Sequence, residues 1–166
     1  KNVGRAARWY WSYWLPGNIL RADMRVASSE STRRDLERYL KIPASSVEVV
    51  PLAASPIFAK MPMQENVSDV LLKKYGIKRP FLMSVGTLEP RKNGLRLVQA
   101  FARMARQNPG LSLLMVGKDG GLEGALRRLV RENGLEEKVR ILGYLPDADL
   151  VNLYNIALGY VMISLY

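Results

Sequence analysis

Phe81-Leu82-Met83-Ser84-Val85-Gly86-Thr87-Leu88-Glu89-Pro90-Arg91-Lys92-Asn93-Gly94 is the stretch on which the fold turns. The apolar run from Phe81 to Val85 reads as a short buried strand. From Gly94 onward the apolar residues recur at helical spacing, with Leu97, Phe101, Met104 and Ala105 on one face, until Asn108-Pro109-Gly110 stops the helix. Between them lies a tight loop, Gly86 to Asn93, carrying the adjacent cations Arg91 and Lys92. The start of a helix leaves backbone N–H groups without partners, and fixed positive charges beside them make an anion site suited to phosphate.

Working outward, the pattern repeats. Leu111 to Val116 is a second strand, and Leu122, Leu126, Leu129 and Val130 line a second helix that Asn133-Gly134 ends as a left-handed cap. Val139 to Leu142 is a third strand, Asp147 is placed to cap a third helix carrying Leu150, Leu153 and Tyr154, and Gly159 to Ser164 supplies a fourth strand. The series β-α-β-α-β-α-β requires a parallel sheet with right-handed crossovers, so residues 80–166 are expected to form a Rossmann-like, doubly wound α/β domain. In the strand order 3-2-1-4 a ligand crevice opens beyond the carboxyl ends of strands one and four. The loop after strand one is Gly86 to Asn93, and Gly86 and Gly117 end strands at this edge. There a side chain would block close approach of a ligand, or glycine merely permits a tight turn.

The segment before residue 80 reads differently. Arg5 to Asp23 is basic and aromatic, with Trp9, Tyr10, Trp11, Tyr13 and Trp14, and Pro16-Gly17 breaks it. Arg25 to Ser28 suggests a short strand, Ser29 a cap, and Leu36, Tyr39 and Leu40 the inner face of a helix from Glu30 to Lys41. Val47 to Val50 is another short strand, Pro51 to Met63 a proline-rich linker or wrapping loop, and Val67 to Tyr75 a lead-in helix. The expected organisation is a small helical and stranded segment at 1–50, a linker and helix at 51–79, and the α/β domain at 80–166.

Composition limits the chemistry. Cys 0 and His 0 exclude disulfides, thiol nucleophiles, imidazole acid–base catalysis and the common zinc sites, so any metal would need carboxylates alone. The formal charge of +10 invites a polyanionic partner: nucleic acid, an anionic lipid surface or a phosphorylated small molecule. Scattered cations such as Arg96, Arg103 and Arg106 on one helix, or Arg127, Arg128 and Arg131 on the next, read as solvated faces. No apolar run reaches spanning length, and the basic, aromatic start lacks the pattern of a secretory signal.

Six stretches, in order and at their spacing, carry a resemblance: Ser28-Ser29-Glu30-Ser31-Thr32-Arg33-Arg34-Asp35-Leu36, Val49-Val50-Pro51-Leu52, Val85 to Asn93, Met115-Val116-Gly117-Lys118, Leu142 to Leu150, and Ile163-Ser164-Leu165-Tyr166. The chain resembles the group-1 family of retaining nucleotide-sugar glycosyltransferases from about Ala22 to Tyr166. The resemblance implies the two-domain GT-B fold, with residues 1–50 as the tail of the acceptor-side domain and 80–166 as the front of the donor-binding domain. It implies a nucleotide-sugar donor, a saccharide or lipid-linked saccharide acceptor, no cofactor or metal, and a cytoplasmic place at the inner face of the membrane, with residues 5–23 as a peripheral membrane contact or as packing against the acceptor-side domain.

Residue by residue, Lys92 and Arg91, with Gly86 and Thr87, match the part that holds the donor diphosphate; Gly117, Lys118, Tyr144 and Leu145 match loops around the nucleotide base. Relatives often carry arginine near Thr87, which leaves Arg91 either to replace that contact or to face solvent. The run Gly117 to Gly121 resembles a phosphate loop only loosely. The glutamates that touch the donor are expected beyond Tyr166, so the chain alone is expected to be a catalytically inactive piece. Two other classes stay open: a basic nucleic-acid-binding module, and a non-catalytic α/β interaction module.

Overall fold

A computed structural model describes residues 8–61 and 65–165, and the chain divides into two units at Ser55 and Pro56. In the first unit a π-helical turn, Tyr10–Trp14, runs into α1 (Leu15–Arg21), followed by β1 (Val26–Ala27), α2 (Glu30–Leu40) and β2 (Glu48–Val49). The two strands pair in parallel, Val26 opposite Glu48 and Ala27 opposite Val49, as a β-α-β unit demands. Ser29 caps α2 as expected, its side chain accepting the Thr32 N–H at 3.1 Å. Ala27, Ile42 and Val47 form a small core with Leu36 and Leu40 packed on it. Tyr39 does not join them: it is 68% exposed, because its position falls at the edge of a narrow apolar stripe. Trp9, Tyr10, Trp11, Tyr13 and Trp14 are all exposed, Tyr10 stacking on Trp14 at 5.0 Å between ring centroids. Arg5, expected to belong to that segment, lies outside the described residues.

The second unit holds α3 (Glu65–Tyr75), β3 (Phe81–Val85), α4 (Gly94–Gln107), β4 (Ser112–Val116), α5 (Glu123–Glu132), β5 (Val139–Leu142), α6 (Asp147–Ile156) and β6 (Gly159–Tyr160). The strands are parallel in the order β5-β4-β3-β6, which is the expected 3-2-1-4. A parallel sheet is covered on both faces, so its central strands are continuously apolar. β4 shows the consequence. Leu113 and Met115 pack with Leu97, Val98 and Phe101 of α4 and Leu126 and Val130 of α5, whereas Leu114 and Val116 pack with Phe81, Met83 and Leu153 on the opposite face. Each of the largest side chains here, Phe101 at 1% exposure for example, contributes about 1.5–3 kcal/mol by leaving water.

Three expectations need correction. Met104 is exposed and α4 buries Val98 and Ala102 instead, since the apolar stripe is centred one residue away from the face read off the sequence. Asp147 is the first residue of α6 and makes no side-chain cap; Pro146 holds the cap position. The last strand is two residues long rather than six, because beyond Val161, whose N–H still donates to Met83 O, the chain turns its hydrogen bonds from β3 toward the 90–93 turn.

The region expected as a linker or wrapping loop is in part docked. Asn155 of α6 donates to Ala59 O at 3.1 Å and accepts from Met61 N–H at 3.0 Å, and Phe58 meets the Tyr154 ring edge-on. α3 is fixed to α6 through Asp149, which accepts from Lys74 at 2.7 Å and from the Tyr75 hydroxyl. The Lys74 hydrogen bond, then that of Tyr75, holds the Asp149 carboxyl below its ordinary range.

Candidate functional site

β3 and β4 end side by side. Gly86 N–H donates to Val116 O and Leu88 N–H to Lys118 O, each at 2.9 Å, so the two loops leave the sheet strapped together. Gly117 sits at their closest approach with φ +156°; a Cβ there would lie 2.0 Å from Gly86 O. Its glycine is therefore a packing requirement of the backbone itself. Gly86 differs: a Cβ would meet only the stem of Lys92, Cε at 3.7 Å.

That stem is the central feature. Pro90–Lys92 forms one 3-10 turn, Asn93 takes a left-handed conformation, and α4 begins at once, with no side-chain cap and no acid in its first turn. The turn lays the Lys92 side chain back across Gly86, into a crevice lined by Ser84 to Glu89, Lys92, Gly94, Met115, Leu122 and Met162. Lys92 is half-buried and has no ion-pair partner among the described residues. The enclosed space is only about 20 Å³, so an anion larger than water would sit at its mouth. Larger grooves lie elsewhere, one of about 490 Å³ between residues 58–60 and α6; it is mostly apolar and carries no convergent charge.

The site residues expected from sequence do not all converge. Gly86, Thr87 and Lys92 line the crevice. Arg91 does not: its Nη2 is 2.6 Å from Glu89 Oε1, and its backbone carbonyl accepts the Leu165 N–H at 2.9 Å. Lys118 and Tyr144 come together at the neighbouring strand ends, the ammonium 5.6 Å from the ring centroid, a cation–π contact between exposed side chains. Leu145 turns its side chain into the core beside Phe81 and Leu153, which leaves only its backbone to face the edge.

Glu89, which lines the crevice, was part of the quoted motif yet carried no role in the reading. Asp119 was missed as well: its Oδ1 accepts from the N–H groups of Gly121, Leu122 and Glu123 at 2.7, 2.9 and 3.1 Å. The start of α5 is therefore already filled by an internal carboxylate, which removes Gly117 to Gly121 as a phosphate loop. The tendency of aspartate to accept from the backbone N–H two residues on, in an Asx-turn, was the signal available for it.

Comparison with known proteins agrees with this geometry. The family model described as "Glycosyl transferases group 1" matches residues 68–166. The O-antigen chain mannosyltransferase B of Escherichia coli is 30% identical over 147 residues, covering 87% of this chain and 38% of that protein. The Campylobacter jejuni N-acetylgalactosamine-N,N'-diacetylbacillosaminyl-diphospho-undecaprenol 4-alpha-N-acetylgalactosaminyltransferase is 31% identical over 124 residues, covering 75% of this chain and 31% of that one. Among solved structures, Anabaena HepE in complex with UDP and glucose superposes with a TM-score of 0.71 at 19% identity, over 86% of this chain and 38% of that chain, a likeness of fold. This chain spans well under half the length of each of these proteins. A parallel sheet in 3-2-1-4 order, a cationic turn at its carboxyl edge and a match across most of the second unit lead to one conclusion: the chain belongs to the group 1 family of glycosyl transferases.

Proposed function

We propose that this chain holds the nucleotide-sugar donor of a retaining glycosyltransferase, with Lys92 on the donor diphosphate. The observation that carries the reading is the Lys92 side chain, its stem laid over a glycine at the sheet's carboxyl edge beside a helix start that lacks an acid. Transfer of a sugar breaks its bond to the diphosphate, and negative charge grows on the leaving oxygen. A preplaced cation favours that charge without needing a metal. Gly86 and Thr87 shape the approach, while Lys118 and Tyr144 border the adjacent loops where the base would lie. Family membership favours this activity over a nucleic-acid or purely structural module.

The acceptor we propose is a saccharide or lipid-linked saccharide, in keeping with the names of the O-antigen and diphospho-undecaprenol relatives. A place at the inner membrane face, in the cytoplasm, fits such an acceptor. The exposed aromatic residues 9–14 beside Arg8 and Arg21 suit an anionic lipid surface, where amphipathic rings sit at headgroup level. Sedimentation with anionic vesicles is expected to carry the protein down at low salt and release it at high salt; salt-insensitive or absent binding ends the membrane reading.

The donor reading is tested by thermal unfolding against UDP, GDP, ADP and their sugars. One nucleotide is expected to stabilise the protein, by about 1.4 kcal/mol at ten times its Kd. Indifference to all of them rejects the assignment.

A further inference from the structure

We propose that Glu89 is an internal competitor for the donor diphosphate, holding Arg91 off the crevice until the diphosphate takes the guanidinium over. The proposal rests on the donor-site reading and adds a control on that same site. Glu89 lines the crevice together with Lys92, whereas Arg91, the neighbour of Lys92, does not. The Arg91 guanidinium sits instead on the Glu89 carboxylate at 2.6 Å, with side-chain exposures of 41% and 32%. An ion pair this open to water is exchangeable at little cost.

The backbone beneath it is fixed. Lys92 N–H donates to Glu89 O at 3.0 Å, Asn93 N–H to Pro90 O at 3.0 Å, and Leu165 N–H to Arg91 O at 2.9 Å. The guanidinium therefore changes partner by rotating its own side chain, with the turn held still. A diphosphate offers more charge and more acceptor oxygens than one carboxylate, and the guanidinium fork matches phosphate geometry. The exchange sends Arg91 to the ligand, leaves Glu89 to solvent, and places two adjacent cations on the diphosphate where the free protein presents one.

The test is a double-mutant cycle, with affinity for the stabilising nucleoside diphosphate measured by calorimetry in wild type, Glu89→Gln, Arg91→Ala and the double variant. Glu89→Gln is expected to tighten binding about two- to fivefold, the scale of an exposed ion pair. In the Arg91→Ala background that gain is expected to vanish. An equal gain in both backgrounds assigns the effect to simple removal of negative charge and overturns the proposal, as does unchanged or weakened binding in Glu89→Gln. A wild type that binds no nucleoside diphosphate refutes the donor site itself, before any variant is compared, and the proposal falls with it.

Discussion

Replacement of Gly117 with alanine is expected to destabilise the second unit by roughly 3–5 kcal/mol, a large share of the 5–15 kcal/mol that holds an ordinary domain folded. The methyl would lie 2.0 Å from Gly86 O and 2.6 Å from Gly86 C, on a residue whose φ of +156° already disfavours a side chain. These neighbours are backbone, so no side-chain rotation relieves the clash. The ends of β3 and β4 have to part. Parting them strains or breaks the bonds Gly86 N–H to Val116 O and Leu88 N–H to Lys118 O, about 1 kcal/mol each, on top of about 1–3 kcal/mol of backbone strain. Denaturant unfolding of G117A beside G124A measures this, because Gly124 lies in α5 with nothing within 4 Å of its added Cβ. G124A is expected to match the wild type or exceed it by up to about 1 kcal/mol. A G117A protein within 1 kcal/mol of wild type contradicts the strapped strand ends.

Loss of the Lys92 charge is the second large effect. Lys92→Ala is expected to weaken binding of the nucleoside diphosphate by about 1.5–3 kcal/mol, or roughly 10- to 150-fold, the usual scale of a hydrogen bond to a charged group. The stem complicates that experiment: Lys92 Cδ and Cε lie 4.0 and 3.7 Å from the position of a Gly86 Cβ, so alanine also uncovers the glycine. Lys92→Met keeps an apolar chain of similar length there and removes only the ammonium. Both variants are expected to lose affinity to a similar degree while unfolding at nearly the wild-type temperature. Retained affinity in the methionine variant separates the ammonium from the ligand and rejects the diphosphate role of Lys92.

Much of the architecture was legible because it rests on local rules. The switch between strand and helix periods gave β3 to β5 and α4 to α6, Asn133-Gly134 announced a left-handed end that Gly134 adopts at φ +62°, and Ser29 announced a cap. Legibility failed where a contact depends on two distant segments. β6 read as six residues because Val161 and Ile163 are apolar, yet its bonds pass from Met83 O to the turn, where Asn93 Nδ2 donates to Ile163 O. The direction of Arg91 was equally hidden. Its sequence position beside Lys92 suggested joint action, and only the 3-10 turn decides that one head enters the crevice while the other meets Glu89. Leu145 shows the converse, a residue chosen for its loop whose side chain serves the core.

The Asp119 carboxylate has a wider consequence. Two of the helices that start at this edge of the sheet, α4 and α5, follow the strapped strands, and each presents the positive end of its dipole to the same solvent. One carries a permanent tenant, tethered two residues before the first N–H it satisfies; the other has none in its first turn. A negatively charged visitor arriving by diffusion thus meets an asymmetric landscape, and its choice of berth is written into the chain before any shape recognition begins.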